Sequence, residues 1–397
     1  MPLHKKMTST QRPIRSTLRL TAFLLLAVCA VAAAGKEHQY LMYVGTYTEE
    51  GSTSKGIYAY RFDSATGQLT SIGLAAQTTN PSFLVVHPNH RFLYAVNEVG
   101  NYQGKKSGGV SAFAIDRTTG KLTLLNEVAS GGTDPCYITV DQTGKFVLVA
   151  NYTSGSVSVF PIQPDGSLGA ASAFVQHTGH GTDPTRQEGP HAHSIDLTPD
   201  NRFAIVDDLG LDETLVYKFD SAKGSLTPND PPFAKANAGA GPRHFALNPN
   251  GKFGYVIDEM GDTVSVFSFD AAAGTLHPVQ TISTIPKDFT KQNDDAEIAI
   301  HPSGKFLYAS NRGHDSIAVF AVDADKGTLS LIEYAPTKGQ SPRHFAIDPS
   351  GSLLFAENEK SDNIVIFRID PGTGRLAPTG KVLDVSQPVC VKFVPID

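Results

Sequence analysis

In a chain built of recurring segments, chemistry is carried where one copy holds charge and the others do not. The second position of the recurring segment reads Ser82, Cys136, His193, Arg243, Ala296, Arg343 and Val389, so three of seven copies place a cation or an imidazole there. A second set follows the Asn or Asp that closes the next strand: Glu98, Tyr152, Leu209, Glu259, Arg312 and Glu359, four of six charged. Imidazole titrates near neutrality and suits proton transfer. Guanidinium presents a fork of donors to a carboxylate, a phosphate or an oxyanion. The pattern points to a pocket for a small anionic ligand.

The segments that position these residues begin at Pro81, Pro135, Ala192, Pro242, Asp295, Pro342 and Pro388. Each runs through alternating apolar residues to a turn such as Asn248-Pro249-Asn250-Gly251 or His301-Pro302-Ser303-Gly304, then into a Phe/Leu-Tyr-rich run. A third alternating run follows (Ser156 to Phe160, Thr263 to Phe267, Ser316 to Phe320), and then Gly-x-Leu at Gly120, Gly274 and Gly327. Period-two alternation between tight turns predicts four short strands per segment. Such a unit cannot bury both faces alone, so the units stack radially as blades. The last copy supplies one strand, Val389 to Val394, while Tyr40 to Tyr47 and Gly56 to Arg61 near the other end lack a partner of that kind. The two ends are therefore expected to share a blade, which removes exposed sheet edges. The fold class is all-β, a seven-bladed β-propeller with four-stranded blades.

In an antiparallel hairpin the start of strand one and the end of strand two lie on one edge. Both charged sets should then ring one mouth of the central channel, a preformed concave pocket. Asn97, Asn151, Asp208, Asp258, Asn311 and Asn358 recur in every full copy and are expected to cap turns through their side-chain oxygens. A structural role is likewise expected for His87 and His301, ahead of the opposite turns. His177, His180, His191 and His193 match no compact metal motif, and no metal or other cofactor is expected.

Residues 1–34 read as a secretory signal peptide: Lys5, Lys6, Arg12, Arg15 and Arg19 precede an apolar run from Leu20 to Val31, then Ala32-Ala33-Ala34. The run is short for a membrane span of about 20 residues, so none is expected in the mature chain. Residues 35–397 then form the propeller domain, exported to the periplasm or beyond. Without the five leader cations, 28 Lys and Arg face 39 Asp and Glu, a net charge of −11 that excludes nucleic acid as an expected partner. A monomer is expected. Cys136 and Cys390 lie on inner strands of non-adjacent blades and are expected to be free buried thiols.

The segments Arg186-Gln187-Glu188-Gly189-Pro190-His191-Ala192-His193, Gly241-Pro242-Arg243-His244, Asp258-Glu259 and Ser310-Asn311-Arg312-Gly313-His314-Asp315-Ser316-Ile317 resemble the lactonase seven-bladed propeller family. That family includes 6-phosphogluconolactonases and carboxy-muconate lactonizing enzymes. The resemblance spans the whole mature chain and implies a hydrolase of a sugar lactone in carbohydrate metabolism. It puts the catalytic set on His193, Glu259, Arg243 and Arg312, the residues that repeat asymmetry also marks. His193 or Glu259 would activate water, with Arg243 and Arg312 on the oxyanion. Glu259 can instead orient an arginine. Arg343, His244, His191 and Glu98 are expected to bind substrate. Two alternatives remain at this level: a cycloisomerase of an unsaturated dicarboxylic acid, and a non-catalytic ligand-binding or scaffold propeller.

Overall fold

The computed structural model describes residues 38–396, so the leader expected over residues 1–34 lies outside the described residues. Seven antiparallel sheets of four strands each are arranged as blades. Blade 1 combines Gln39–Thr46, Gly56–Asp63 and Gln68–Gln77 with the C-terminal strand Pro388–Pro395 as its innermost member. Tyr40 pairs with Pro395 and Val44 with Val391 across that seam, so the closure expected from the unmatched end strands is present. Counting onward in chain order, the inner strands of blades 2 to 7 are Leu84–Val86, Pro135–Val140, Asp196–Leu197, Pro242–Leu247, Asp294–Ile300 and Pro342–Ile347.

The second strands are the buried ones. Every residue of Phe92–Asn97, Phe146–Asn151, Phe203–Asp208, Phe253–Asp258 and Leu353–Asn358 is buried. Each strand is packed on both faces by its neighbouring blades, and burying each large aliphatic or aromatic side chain contributes roughly 1.5–3 kcal/mol. The Gly-x-Leu motif fastens one blade to the next. Tyr94, Tyr255 and Tyr308 donate their hydroxyls to the carbonyls of Gly166, Gly327 and Gly374 in the following blade, at 3.0, 3.1 and 2.9 Å. Gly327 has φ +71°, and a Cβ there would sit 2.3 Å from the Phe253 ring, so both the backbone and the packing require glycine.

The recurring Asn and Asp are structural, with one difference from expectation. Asp258 does accept through an oxygen, from Thr263 and Ser265 at 2.8 and 2.7 Å. Asn97 also accepts, from the Ser111 hydroxyl at 2.6 Å, but it and Asn311 in addition reach back with the amide nitrogen, to the carbonyls of Thr79 and Thr284 at 2.7 and 2.9 Å. What needs satisfying there is a loop carbonyl, and only the amide can donate. On the opposite face, His87 and His301 bond the Gly144 and Gly351 carbonyls of the next blade. Cys136 and Cys390 are free and buried.

The inner strands carry an irregularity with chemical consequences. Pairing shifts register at Pro135/Tyr137, Pro242/His244 and Pro342/His344. A β-bulge of this kind breaks strict alternation. As a result Arg243 and His244, and likewise Arg343 and His344, all line one cavity in the channel although they are consecutive in sequence.

Candidate active site

Glu259, one residue past the second strand of blade 5, is the hub of the channel mouth. Its Oε2 accepts from Arg243 Nε and Arg312 Nη2, both at 2.9 Å, and lies 3.8 Å from His193 Nε2. Its Oε1 accepts from Arg186 Nη2 at 2.5 Å. Blades 4, 5 and 6 thus converge on one carboxylate. Burial pushes the Glu259 carboxyl up, but the charges of Arg312 and Arg243, then His193 and Arg186, outweigh it and hold it well below the usual carboxylate range. A carboxylate so fully committed is an anchor for arginines and a weak acceptor for a water proton.

The arginines are fixed as firmly. Arg243, only 2 % exposed, also donates to the Ala296 carbonyl. Burial, followed by the charges of Arg312 and Arg343, lowers its pKa to about 10, still cationic at neutral pH. Arg312, the last residue of Phe306–Arg312, donates through Nε and Nη2 to the Asp294 and Asp295 carbonyls at 3.3 and 3.0 Å. His193 is set by its amide, which donates to the Asp207 carbonyl at 2.8 Å, while its Nδ1 faces Cys136 Sγ at 3.6 Å. Burial, then Arg243 and His244, lower the imidazole well below its ordinary value, so it is neutral at pH 7. Cys136 is pushed up by burial and stays a thiol.

A second group faces this hub. Tyr47 donates to the Glu98 carboxylate at 3.0 Å, and the Arg343 guanidinium lies 5.4 Å above the Tyr47 ring with Nη2 4.0 Å from Glu98 Oε1. Burial raises the Glu98 pKa, with Arg343 opposing. Glu98, Arg243, His244 and Arg343 line one cavity. His191 stands apart, stacked on Tyr152 at 4.7 Å, with that ring between it and His193 at 5.3 Å. Among the described residues no group of three or more His, Cys, Asp or Glu is disposed to hold a metal ion; His177 is spent on Asp208 at 2.6 Å.

Four residues of this constellation were not among the sequence candidates. Arg186 comes from an irregular segment before blade 4. Glu297, His344 and Glu357 lie deeper: Glu297 Oε2 is 3.1 Å from His244 Nδ1 and 3.4 Å from His344 Nε2, and His344 Nδ1 is 2.5 Å from Glu357. The third position of the segment, Phe83, Tyr137, Ser194, His244, Glu297, His344 and Cys390, carries the same asymmetry as the second, and would have exposed two of them.

The sequence profile of the family described as lactonase, 7-bladed beta-propeller, matches residues 41–393. The chain belongs to this family. This lactonase-family propeller is 40 % identical over 357 residues to the 6-phosphogluconolactonase of Bacillus subtilis, covering 90 % of this chain and 99 % of that one. It is 37 % identical over 303 residues to the 6-phosphogluconolactonase of Formosa agariphila, covering 75 % and 83 %. Among solved structures, the periplasmic gluconolactonase of Pseudomonas aeruginosa superimposes with a TM-score of 0.84 at 33 % identity, covering 90 % of this chain and 100 % of that one. In this lactonase-family member the mouth joins a neutral imidazole to guanidinium groups fixed before any ligand arrives. Such an arrangement can move a proton beside a preorganised oxyanion site.

Proposed function

We propose that the protein hydrolyses a sugar lactone at this mouth. The observation that carries the reading is the grip of Arg243, Arg312 and Arg186 on Glu259 beside a neutral His193, in a chain of the lactonase family. Arg312 and Arg243 face the lactone carbonyl, and Glu259 holds both at the angle needed without competing as a base. His193 Nε2 takes a proton from water as the water oxygen bonds to the carbonyl carbon. The oxyanion that forms is held by guanidinium donors that need no reorganisation. When it collapses, the bond from that carbon to the ring oxygen breaks, and the imidazolium returns the proton to the ring oxygen. The product is the open-chain hydroxy acid. Because burial and the arginines make the imidazolium strongly acidic, it is well suited to that second transfer.

Export of the mature protein is part of the proposal. It rests on the basic and apolar pattern of residues 1–34 and agrees with similarity to a structure described as a periplasmic gluconolactonase. The test is turnover of gluconolactone and 6-phosphogluconolactone by the mature chain in ¹⁸O-labelled water, corrected for spontaneous opening. Hydrolysis places label in the product carboxylate; catalysed ring opening without label would mean elimination to an unsaturated acid and overturn the reading. Arg312→Ala is expected to lower kcat by about 10²–10³.

A further inference from the structure

Arg312 has a second face. It forms one wall of a cavity of about 270 Å3 between blades 6 and 7, beside the Glu259 hub. The other walls include Gln292, Asp294, Asp315, Gln340 and Lys360. Arg312 belongs to both places, so a ligand whose reacting carbon faces the hub extends its remaining atoms into this cavity. The volume lies just under the range of sites for drug-sized ligands and suits part of a single sugar.

The polar groups here are provided and unspent. Among the described residues, the side-chain amides of Gln292 and Gln340 and the Lys360 ammonium have no hydrogen-bond or ion-pair partner, the main-chain amide of Gln340 being held by Ser361. Asp315 accepts the Ser341 amide at 2.8 Å through one oxygen, and Asp294 lies 3.5 Å from Arg186 through one oxygen, so each keeps acceptor capacity. Amide, ammonium and carboxylate groups together match hydroxyls, which both donate and accept.

They match a phosphate poorly. Recognition of a phosphate favours bidentate guanidinium donors, but Nε and Nη2 of Arg312 are already committed to Glu259 and two carbonyls, leaving only Nη1. Lys360 is then the one uncommitted cation among the described residues that line the cavity, and a phosphate dianion beside it would face Asp294 and Asp315. We propose that this cavity is the subsite for the exocyclic, hydroxyl-bearing arm of the substrate, and that it selects unphosphorylated aldonolactones over their phosphate esters. The proposal rests on the sugar-lactone hydrolase reading of the mouth.

The test compares kcat/KM for gluconolactone, 6-phosphogluconolactone and δ-valerolactone, which lacks the arm, in the mature chain and in Lys360→Ala, Gln340→Ala and the double variant Asp294→Asn/Asp315→Asn. Gluconolactone is expected to be preferred over its phosphate ester. Lys360→Ala and Gln340→Ala should raise KM for gluconolactone by up to about tenfold with kcat retained, and leave δ-valerolactone unchanged. The double variant should improve the phosphorylated lactone relative to gluconolactone by about fivefold or more. Preference for the phosphate ester, or equal effects of Lys360→Ala on all three lactones, would overturn the subsite while leaving the hydrolase intact. Absence of turnover on every lactone by folded protein would overturn the hydrolase reading and the subsite with it.

Discussion

Arg312 Nη2 lies 2.9 Å from Glu259 Oε2, tying the end of the second strand of blade 6 to that of blade 5. Both groups are largely buried, at 15 % and 6 % exposure, and Arg243 and Arg186 meet the same carboxylate. Removing one partner of a buried pair leaves its cations uncompensated, at a cost of about 3–5 kcal/mol. Glu259→Gln is therefore expected to lower stability by about 3 kcal/mol in urea unfolding and to cut kcat/KM by about 10² or more, since the guanidinium groups lose their anchor. Because the folded Glu259 pKa is depressed, its contribution is present above the unfolded carboxylate value and is lost as pH falls through the folded one. The stability difference between wild type and variant should accordingly narrow below about pH 4. Full activity in Glu259→Gln would remove the anchor role.

Asp207 titrates in the opposite sense. It is buried, accepts Thr214 and Ser194 hydroxyls at 2.6 and 3.2 Å, and is pushed up to about 8 by burial, with Asp196 adding to the rise. The folded state keeps a proton that the unfolded chain releases above about pH 4. Its contribution to stability therefore falls as pH rises from about 4 to about 8 and stays low beyond. Asp207→Asn preserves shape and removes the titration. Its melting temperature relative to wild type should climb between pH 5 and pH 8 and then level off. A difference that stays flat over that range would show the folded carboxyl to be ionised.

The histidine staples on the opposite face should separate stability from activity. His301 Nδ1 accepts the Ser303 amide at 3.1 Å, so Nε2 carries the proton it donates to Gly351 at 2.8 Å. One such bond contributes about 1 kcal/mol, or about 1–2 °C in a domain of this size. His301→Ala and His87→Ala are expected to add in a double variant, with kcat and KM for a lactone unchanged. Loss of activity in either would mean that the two faces of the ring are coupled.

The ring was legible because seven imperfect copies of one segment repeat their turns, and the ends without partners announce the closure. Asymmetry among the copies marked His193, Arg243, Glu259 and Arg312, since a propeller places equivalent positions on one circle, and they converge as expected. The same device fails where no equivalent exists. Arg186 lies in a stretch between Ala173–Gln176 and Asp196–Leu197 that other blades lack, so nothing in the repeat aligns with it. Glu297 and His344 were missed because the second position of the segment was compared across the copies and the third was not. Two successive residues should face opposite ways, yet the bulges turn His344 into the channel together with its neighbour Arg343. Periodicity describes regular strands, and this site is built on their irregularities.

The pH dependence of turnover tests His193. An unperturbed imidazole would lose its base form below about pH 6.5. Here burial, then Arg243 and His244, hold the folded value well below that, while Glu259 pulls the other way. Groups facing the ring are Cys136 of blade 3, Arg243, His244 and Glu259 of blade 5, and Tyr152 past the second strand of blade 3. None supplies a proton acceptor that would replace it at neutral pH, because Glu259 is spent on arginines and Cys136 remains a thiol. The acid limb of kcat/KM should therefore lie clearly below pH 6.5, with a plateau through pH 7. His193→Gln should remove that limb and lower kcat by about 10²–10⁴. Retention of the same limb in His193→Gln would move the base elsewhere, with Glu98 the next group to replace, as burial raises its carboxyl above the usual value.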